Sequence, residues 1–159
     1  MCSSDLMFLY FSTSNSGSNL SKSWNFAEHN LPFSANYGLS IEDSNYYEFV
    51  EWNGSSWNVI ESDGIEMYIG WSGNKASEIK LPLSYLGNPS NISLMVWAQW
   101  QHEANVWSSF PMLNSASETG VEYFTHYYST ALEEDISSSE IQILSNSLKL
   151  DDAIRSEEH

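Results

Sequence analysis

The residues best suited to chemistry in this chain are its tryptophans and the glutamines beside one of them. Seven Trp occur within residues 24–107. An indole ring stacks on the apolar C–H face of a sugar, while amide side chains bind the sugar hydroxyls. On a strand over residues 92–101, alternation would place Trp97, Gln99 and Gln101 on one face. We therefore predict a sugar-binding surface formed by Trp97, Gln99 and Gln101, and a polysaccharide or other glycan as the partner.

The competing interpretation is that these tryptophans only pack. A tryptophan is more often a core or edge residue than a ligand contact, and this holds for each of the seven taken alone. Under that interpretation the protein is a structural or adhesion spacer domain with no small-molecule ligand. The two alternatives differ in one observable, which is whether an exposed Trp lies beside Gln or Asn.

Catalysis is not indicated by the residues that it usually needs. A serine triad requires a base beside the nucleophile, yet His29, His102 and His126 are not accompanied by a Gly-x-Ser-x-Gly motif. Glu66 and Glu103 could act as paired carboxylates in glycoside hydrolysis at a separation of about 5–10 Å, but nothing in the sequence singles them out. We predict that the protein is not an enzyme and has no catalytic residues.

Metal binding also has little support. The histidines are not spaced to meet on one helix or strand, and the chain has a single cysteine, Cys2. Glu42, Asp43 and Asp63 lie in loop-like stretches and could supply oxygens to calcium. The Asp-x-Asp-x-Asp pattern of a calcium loop is absent. We predict no metal-binding residues and no cofactor, and calcium stays open as an alternative.

Composition narrows the class of protein. The chain has 159 residues, of which 42% are hydrophobic and 16% charged, so one domain can bury a core. Five Lys and Arg stand against 21 Asp and Glu, a formal charge of −16. This excess of negative charge disfavours nucleic acid and anionic membrane surfaces as partners. No apolar run approaches the roughly 18 residues of a membrane helix, so we expect no membrane insertion.

Short strands must position the aromatic residues. Alternating or β-branched segments predict strands over residues 8–12, 35–41, 46–52, 56–60, 65–72, 76–83, 92–101, 106–110 and 121–128. Asn53-Gly54 and Gly73-Asn74 predict two hairpin turns. The fold expected is an all-β, antiparallel β-sandwich of jelly-roll type. Its predicted core includes Ile79, Leu81, Leu94, Val96 and Ala98.

The domain is expected to cover residues 7–132. After Leu132 the composition changes to Glu133-Glu134-Asp135 and a serine run. This change predicts that residues 133–154 form an acidic, Ser-rich linker or a peripheral extension, with residues 141–150 as a last strand or the start of a neighbouring domain.

Four segments in order carry a family resemblance: Leu31-Pro-Phe-Ser-Ala-Asn-Tyr37, Trp52-Asn-Gly-Ser-Ser-Trp57, Glu78-Ile-Lys-Leu-Pro-Leu-Ser-Tyr-Leu-Gly87 and Val106-Trp-Ser-Ser-Phe-Pro111. Together they resemble the sandwich domains related to family-nine carbohydrate-binding modules and DOMON domains. The resemblance implies a non-catalytic carbohydrate-binding or surface-attachment module. It also implies a secreted or cell-surface multidomain protein, in which neighbouring domains are covalently linked. Ser12 stands where that group often has an acidic residue.

The two ends of the chain can be encoded by one oligonucleotide read in opposite orientations. Arg155–His159 can be written AGA TCG GAA GAG CAC, and the reverse complement, read from its second base, encodes Cys2–Leu6. The string resembles a sequencing-library adapter. We therefore expect residues 1–6 and 155–159 to be adapter-derived and the chain to be a metagenomic fragment, truncated at its N-terminus. Residues 1–6 should then pack against little, and residues 8–12 or a neighbouring strand should form an unpaired edge.

Overall fold

The computed structural model describes residues 5–24, 28–70, 76–101, 105–112, 122–132 and 140–144. Twelve strands occur in this part of the chain, which contains no α-helix. The strands are β1 Asp5–Ser12, β2 Ser18–Leu20, β3 Asn30–Ala35, β4 Tyr37–Ile41, β5 Tyr47–Trp52, β6 Trp57–Val59, β7 Glu66–Tyr68, β8 Glu78–Pro82, β9 Asn91–Trp100, β10 Val106–Phe110, β11 Tyr128–Ala131 and β12 Glu140–Leu144. A 3-10 turn, Leu83–Leu86, follows β8.

The strands form a large antiparallel sheet and two smaller ones. The main sheet has the order β10-β9-β1-β4-β5-β6. β11 also pairs with β9, along the first half of that strand, whereas β10 pairs with its second half. The second sheet has the order β12-β8-β7, and β2 pairs with β3. All strand pairs are antiparallel. The predicted all-β fold, built from antiparallel sheets packed together, is confirmed.

Both faces of the main sheet are covered. On the inner face, side chains such as Leu9, Leu39 and Val96 pack against Ile79 and Leu81 of the second sheet. On the outer face, Phe8, Tyr10 and Trp97 pack against Leu31 and Ala35 of β3 and against Phe124. The main sheet is therefore the middle of three layers. This arrangement explains how so many large aromatic residues are removed from water.

Strand β1 is central rather than an edge. It pairs with β4 on one side and with β9 on the other, from Asp5 to Ser12. Its run of apolar residues has no polar alternation because both of its faces are buried. The prediction that residues 8–12 form an unpaired edge is wrong. The expectation that residues 1–6 pack against little is wrong for Leu6, which is fully buried.

The strands of both predicted hairpins pair with each other. β5 and β6 pair around Asn53-Gly54, and Gly54 has a φ of 100°, which a residue without a side chain adopts most readily. β7 and β8 pair with Met67 opposite Ile79, although Gly73-Asn74 lies outside the described residues. Pro82 ends β8, as its missing N–H predicts.

Most of the predicted core is buried. Ile79, Leu81, Val96 and Ala98 are all buried, whereas Leu94 is half-buried and packs against the inner-face core. The predicted strand over residues 35–41 is shorter, because the chain turns at Asn36 and divides it between β3 and β4.

The C-terminal predictions have a mixed outcome. The predicted strand over 121–128 is wrong for most of its length, since the described residues there contain one isolated bridge, at Tyr123, before β11 begins. β12 pairs with β8 and so adds a strand to the second sheet. Residues 133–139 and 145–159 lie outside the described part, and the domain boundaries stay predictions.

Candidate functional site

Trp97 and Gln99, two of the three residues predicted to bind sugar, are buried. Each is only 1% exposed. The Trp97 indole stacks on Phe8 and Tyr10 of β1, with ring centroids 5.0 and 5.3 Å away. The prediction that Trp97 and Gln99 line an open surface is wrong. The physical reason is the outer layer, which covers a face of β9 that the alternation of the strand alone would leave to solvent.

Gln99 satisfies two buried donors at once. Its Oε1 accepts a hydrogen bond from Trp97 Nε1–H at 3.1 Å and lies 2.9 Å from His29 Nε2. The Nδ1 of His29 accepts the backbone N–H of Glu122 at 3.0 Å. An indole N–H and a backbone N–H can only donate. The pattern therefore requires Oε1 to face Trp97 and requires the Nε2–H tautomer of His29.

The His29 imidazole is held neutral by this environment. Burial lowers its pKa below the ordinary value near 6.5, against the opposing effects of the Gln99 hydrogen bond and the Glu122 charge. Its backbone N–H donates to Ser21 Oγ at 2.8 Å. These contacts join the outer layer to β9. The buried group of Trp97, Gln99 and His29 therefore has a structural role, which is to hold the two layers together.

The third predicted residue, Gln101, leads to a different site at one end of the main sheet. The turn between β4 and β5 lies at this end. Asp43 Oδ1 accepts the N–H groups of Asn45 and Tyr46 at 2.7 and 2.9 Å, and Glu42 N–H donates to Tyr46 O at 3.0 Å. A short acidic side chain bonded to the backbone ahead of it is typical of a well-ordered turn. The turn thus holds Tyr46 in place.

Glu42 and Asp43 together lie opposite Tyr46 at the end of the β4–β5 pairing. Ser40 pairs with Glu48, and Ile41 pairs with Tyr47. Beyond this pair the N–H groups of Glu42 and Asp43 both donate to Tyr46 O, at 3.0 and 3.2 Å. Two residues opposite one form a β-bulge, which ends the regular register. The acidic turn is therefore bonded directly to the backbone of Tyr46.

Trp24 supports the Tyr46 ring from the outer layer. The two rings stack with centroids 6.0 Å apart and planes 22° apart, and Trp24 also meets Phe8 edge-on at 5.8 Å. The segment before Trp24 contacts the main sheet through Lys22. The Lys22 ammonium pairs with the Glu48 carboxylate, and the Lys22 backbone N–H donates to the Tyr10 hydroxyl at 2.7 Å. The aromatic pair is therefore held in position by contacts within the protein.

Gln101 completes the group. Its Nε2–H donates to Glu42 Oε1 at 3.2 Å, which links the end of β9 to the β4–β5 turn. We call the set formed by Trp24, Glu42, Tyr46 and Gln101 the loop-end platform. Tyr46 is 60% exposed, while Trp24, Glu42 and Gln101 are half-buried. The platform therefore offers an aromatic ring to solvent, and the hydrogen-bonded side chains of Glu42 and Gln101 lie at the same end of the main sheet.

Sequence reasoning missed Tyr46 and Trp24 as parts of one site. Tyr46 reads as the first residue of a strand, and Trp24 as one of seven similar tryptophans. The signal present in the sequence is the run Glu42-Asp43-Ser44-Asn45, whose small polar residues predict a tight turn that would expose the next side chain. The stacking of Trp24 depends on contacts between distant segments, which no local pattern records.

The other tryptophan pairs are different in kind. Trp100 and Trp107 lie with ring centroids 6.3 Å apart, but alternation along β9 puts Trp100 on the inner-face side, away from the platform. Trp52 and Trp57 meet at 5.5 Å across the β5–β6 hairpin, and Trp57 Nε1–H donates to Leu20 O. This bond ties the hairpin to β2, so the second pair has a packing role.

Among the described residues, the remaining candidates for chemistry are not brought together. Glu66 lies 3.6 Å from Lys80, and His126 is exposed with Nδ1 2.8 Å from Thr125 Oγ1. His102 and Glu103 lie outside the described residues. Within the described ranges, no three His, Cys, Asp or Glu side chains converge as metal ligands. The same part of the chain includes no helix with the length and apolar character to cross a membrane.

Comparison of the chain with protein-family models, with curated proteins and with solved structures gives no match.

Proposed function

We propose that this protein is a non-catalytic carbohydrate-binding or surface-attachment module of a secreted multidomain protein, and that the loop-end platform is its glycan site. The observation that carries the proposal is the stacked, exposed ring of Tyr46 at the end of the main sheet that also holds the hydrogen-bonded side chains of Glu42 and Gln101. An aromatic face binds the C–H groups of a sugar ring. Planar polar groups at its edge bind the hydroxyls.

Preorganisation supports the same proposal. A ligand that meets an ordered site does not have to immobilise its side chains, so less of the interaction energy is lost on binding. Tyr46 is held by the Asp43 turn and by Trp24, and Gln101 is held by Glu42. An exposed tyrosine without such supports would have to be ordered by the ligand.

The test is retention by a panel of immobilised polysaccharides in affinity electrophoresis, followed by titration of tryptophan fluorescence with the best ligand. Tyr46→Ala should weaken binding by about tenfold, as expected for the loss of one stacking contact. Gln101→Ala should weaken it by about threefold through loss of one hydrogen bond. Both variants should keep the thermal unfolding midpoint of the parent within a few degrees.

Tyr68→Ala is the matched control. Tyr68 is 58% exposed, close to the value for Tyr46, but it lies on β7 of the second sheet. Its removal should leave glycan affinity unchanged. Failure of every polysaccharide to retain the protein would overturn the proposal in favour of a spacer domain. Turnover of a glycoside or sugar ester that one carboxylate substitution abolishes would overturn it in favour of an enzyme.

A further inference from the structure

We propose that the loop-end platform selects glycans that carry a protonated amine, such as oligosaccharides of 2-amino-2-deoxyglucose, over neutral and acidic glycans. This inference rests on the proposed function and specifies its ligand class. It follows from two observations. An acidic turn carries the exposed aromatic ring, and the described lysines pair with other carboxylates.

Glu42 is one of two acidic residues, with Asp43, in the turn that carries the exposed ring. Its backbone N–H donates to Tyr46 O at 3.0 Å. Its Oε1 accepts one hydrogen bond from Gln101, which is a neutral donor. In the residues that the structure describes, no cation pairs with Glu42. A carboxylate that keeps its full charge beside a sugar site favours an ammonium group on the sugar.

The basic side chains nearby do not compensate this charge. Lys22 is the lysine closest along the chain to Trp24, and its ammonium pairs with Glu48. Lys80, the other described lysine, lies against Glu66 in the second sheet. The site consequently has the negative potential expected from the excess of 21 acidic over five basic residues in the chain. Uronic-acid and sulfated glycans are repelled by this potential.

The Tyr46 ring adds to the preference for a cation. Its π face carries a partial negative charge, which attracts an ammonium group placed within about 6 Å of the ring centre. An amino sugar stacked on Tyr46 would also bring its amine into the negative potential of the Glu42-Asp43 turn. A neutral sugar would stack on the same ring without this electrostatic gain. Tyr46 thus serves binding in general, whereas Glu42 serves selection.

The experiment compares two hexasaccharides that differ only in acylation, the fully deacetylated and the fully N-acetylated oligomers of glucosamine. Both are titrated in mildly acidic buffer, in which the free amine is protonated, with cellohexaose and oligogalacturonate as further ligands. We expect the deacetylated oligomer to bind about fivefold more tightly than its acetylated counterpart. The difference should shrink in concentrated salt, because exposed charges are screened.

Glu42→Gln separates selection from binding. This variant removes the charge but keeps a hydrogen-bond acceptor for Gln101. The ratio of the two affinities, deacetylated over acetylated, should fall from about five to about one. Glu51→Gln is the matched control, since Glu51 is exposed at the far end of β5, opposite Tyr37. It makes the same change in net charge and should keep the preference.

The outcomes distinguish the two proposals. Equal affinity for the acetylated and deacetylated oligomers, both weakened by Tyr46→Ala, would overturn the inference and leave the glycan site standing. No binding of any oligomer would overturn both. Displacement of the deacetylated oligomer by oligolysine of equal charge at equal concentration would also overturn the inference, because the site would then be selecting charge rather than an amino sugar.

Discussion

Trp97 and Gln99 lie two residues apart on β9 and share a buried hydrogen bond, in which the indole Nε1–H donates to Oε1 over 3.1 Å. Because the indole can only donate, this bond determines the orientation of the Gln99 amide. The same oxygen then accepts from His29 Nε2–H. One amide oxygen thus connects the main sheet to the layer that covers it.

The first prediction contrasts the two glutamines of β9. Gln99→Leu removes the acceptor of two buried donors, and each unsatisfied donor costs about 1–3 kcal/mol. We expect a loss of about 2–5 kcal/mol in the free energy of unfolding, measured by urea denaturation. Gln101→Leu, at the half-buried end of the strand, should change it by less than about 0.5 kcal/mol. Equal losses in the free energy of unfolding for the two substitutions would contradict a stabilising role of the buried hydrogen bonds to Gln99.

The second prediction concerns pH. The folded-state pKa of His29 is lowered by burial, so the unfolded chain binds this proton more tightly than the folded protein. The stability that neutral His29 contributes is complete above about pH 6.5. It is lost as the pH falls from there through the folded-state pKa, because the imidazolium cannot accept the Glu122 N–H.

The measurement is the free energy of unfolding as a function of pH in the parent and in two variants. Protonation of many surface carboxylates also changes stability in acid, so the differences between variants are decisive. His29→Gln should be less stable at neutral pH and should lose the His29-dependent slope. His126→Gln removes an exposed histidine and should keep that slope. A parent and His29→Gln variant with parallel pH profiles would contradict the assignment.

The sequence predicts the strands of this fold better than its layers. The alternation in Glu78–Pro82 and the Asn53-Gly54 turn are local, and both the second-sheet strand and the hairpin follow from them. The three-layer arrangement is not local. Alternation shows that Trp97 and Gln99 share a face, but only the packing of β3 and Phe124 decides that this face is buried.

The apolar run at the start of β1 is a local pattern that does indicate burial on both faces of the sheet. Leu6–Phe11 has no polar residue, which is typical of a strand buried on both faces. The expectation of a truncated edge came from the coding of the chain ends, and it conflicts with this pattern.

The platform could be predicted only in part. Gln101 follows from strand alternation, whereas the contact of Tyr46 with Trp24 joins segments 22 residues apart.

The third prediction tests the central position of β1. Leu9 is fully buried on the inner face between β4 and β9. Leu9→Ala should destabilise the protein by about 2–5 kcal/mol, since it leaves a cavity in a close-packed core. Val59→Ala is the control on the edge strand β6, where Val59 is 60% exposed, and it should cost less than about 0.5 kcal/mol. A small effect at Leu9, measured by chemical denaturation, would contradict a central β1.

The fourth prediction uses two glycines that are required for different reasons. A Cβ at Gly38 would lie 2.7 Å from Cε1 of Tyr10, and that ring is confined by Trp97 and Trp57 at 5.3 and 5.4 Å. Gly38→Ala should therefore cost about 1–3 kcal/mol, as overpacking of a core does. It should also change the near-ultraviolet circular dichroism, because the stacked rings must move.

Gly54→Ala is the comparison for Gly38→Ala. At Gly54 an added Cβ meets no atom within 4 Å, but the φ of 100° is strained for alanine. We expect a cost of about 1 kcal/mol and an unchanged near-ultraviolet spectrum, since no aromatic contact is disturbed. If Gly38→Ala gives the same near-ultraviolet spectrum as Gly54→Ala, Gly38 does not lie as close to the Tyr10 ring as the structure has it. The close packing of the outer face around Tyr10 would then be wrong as well.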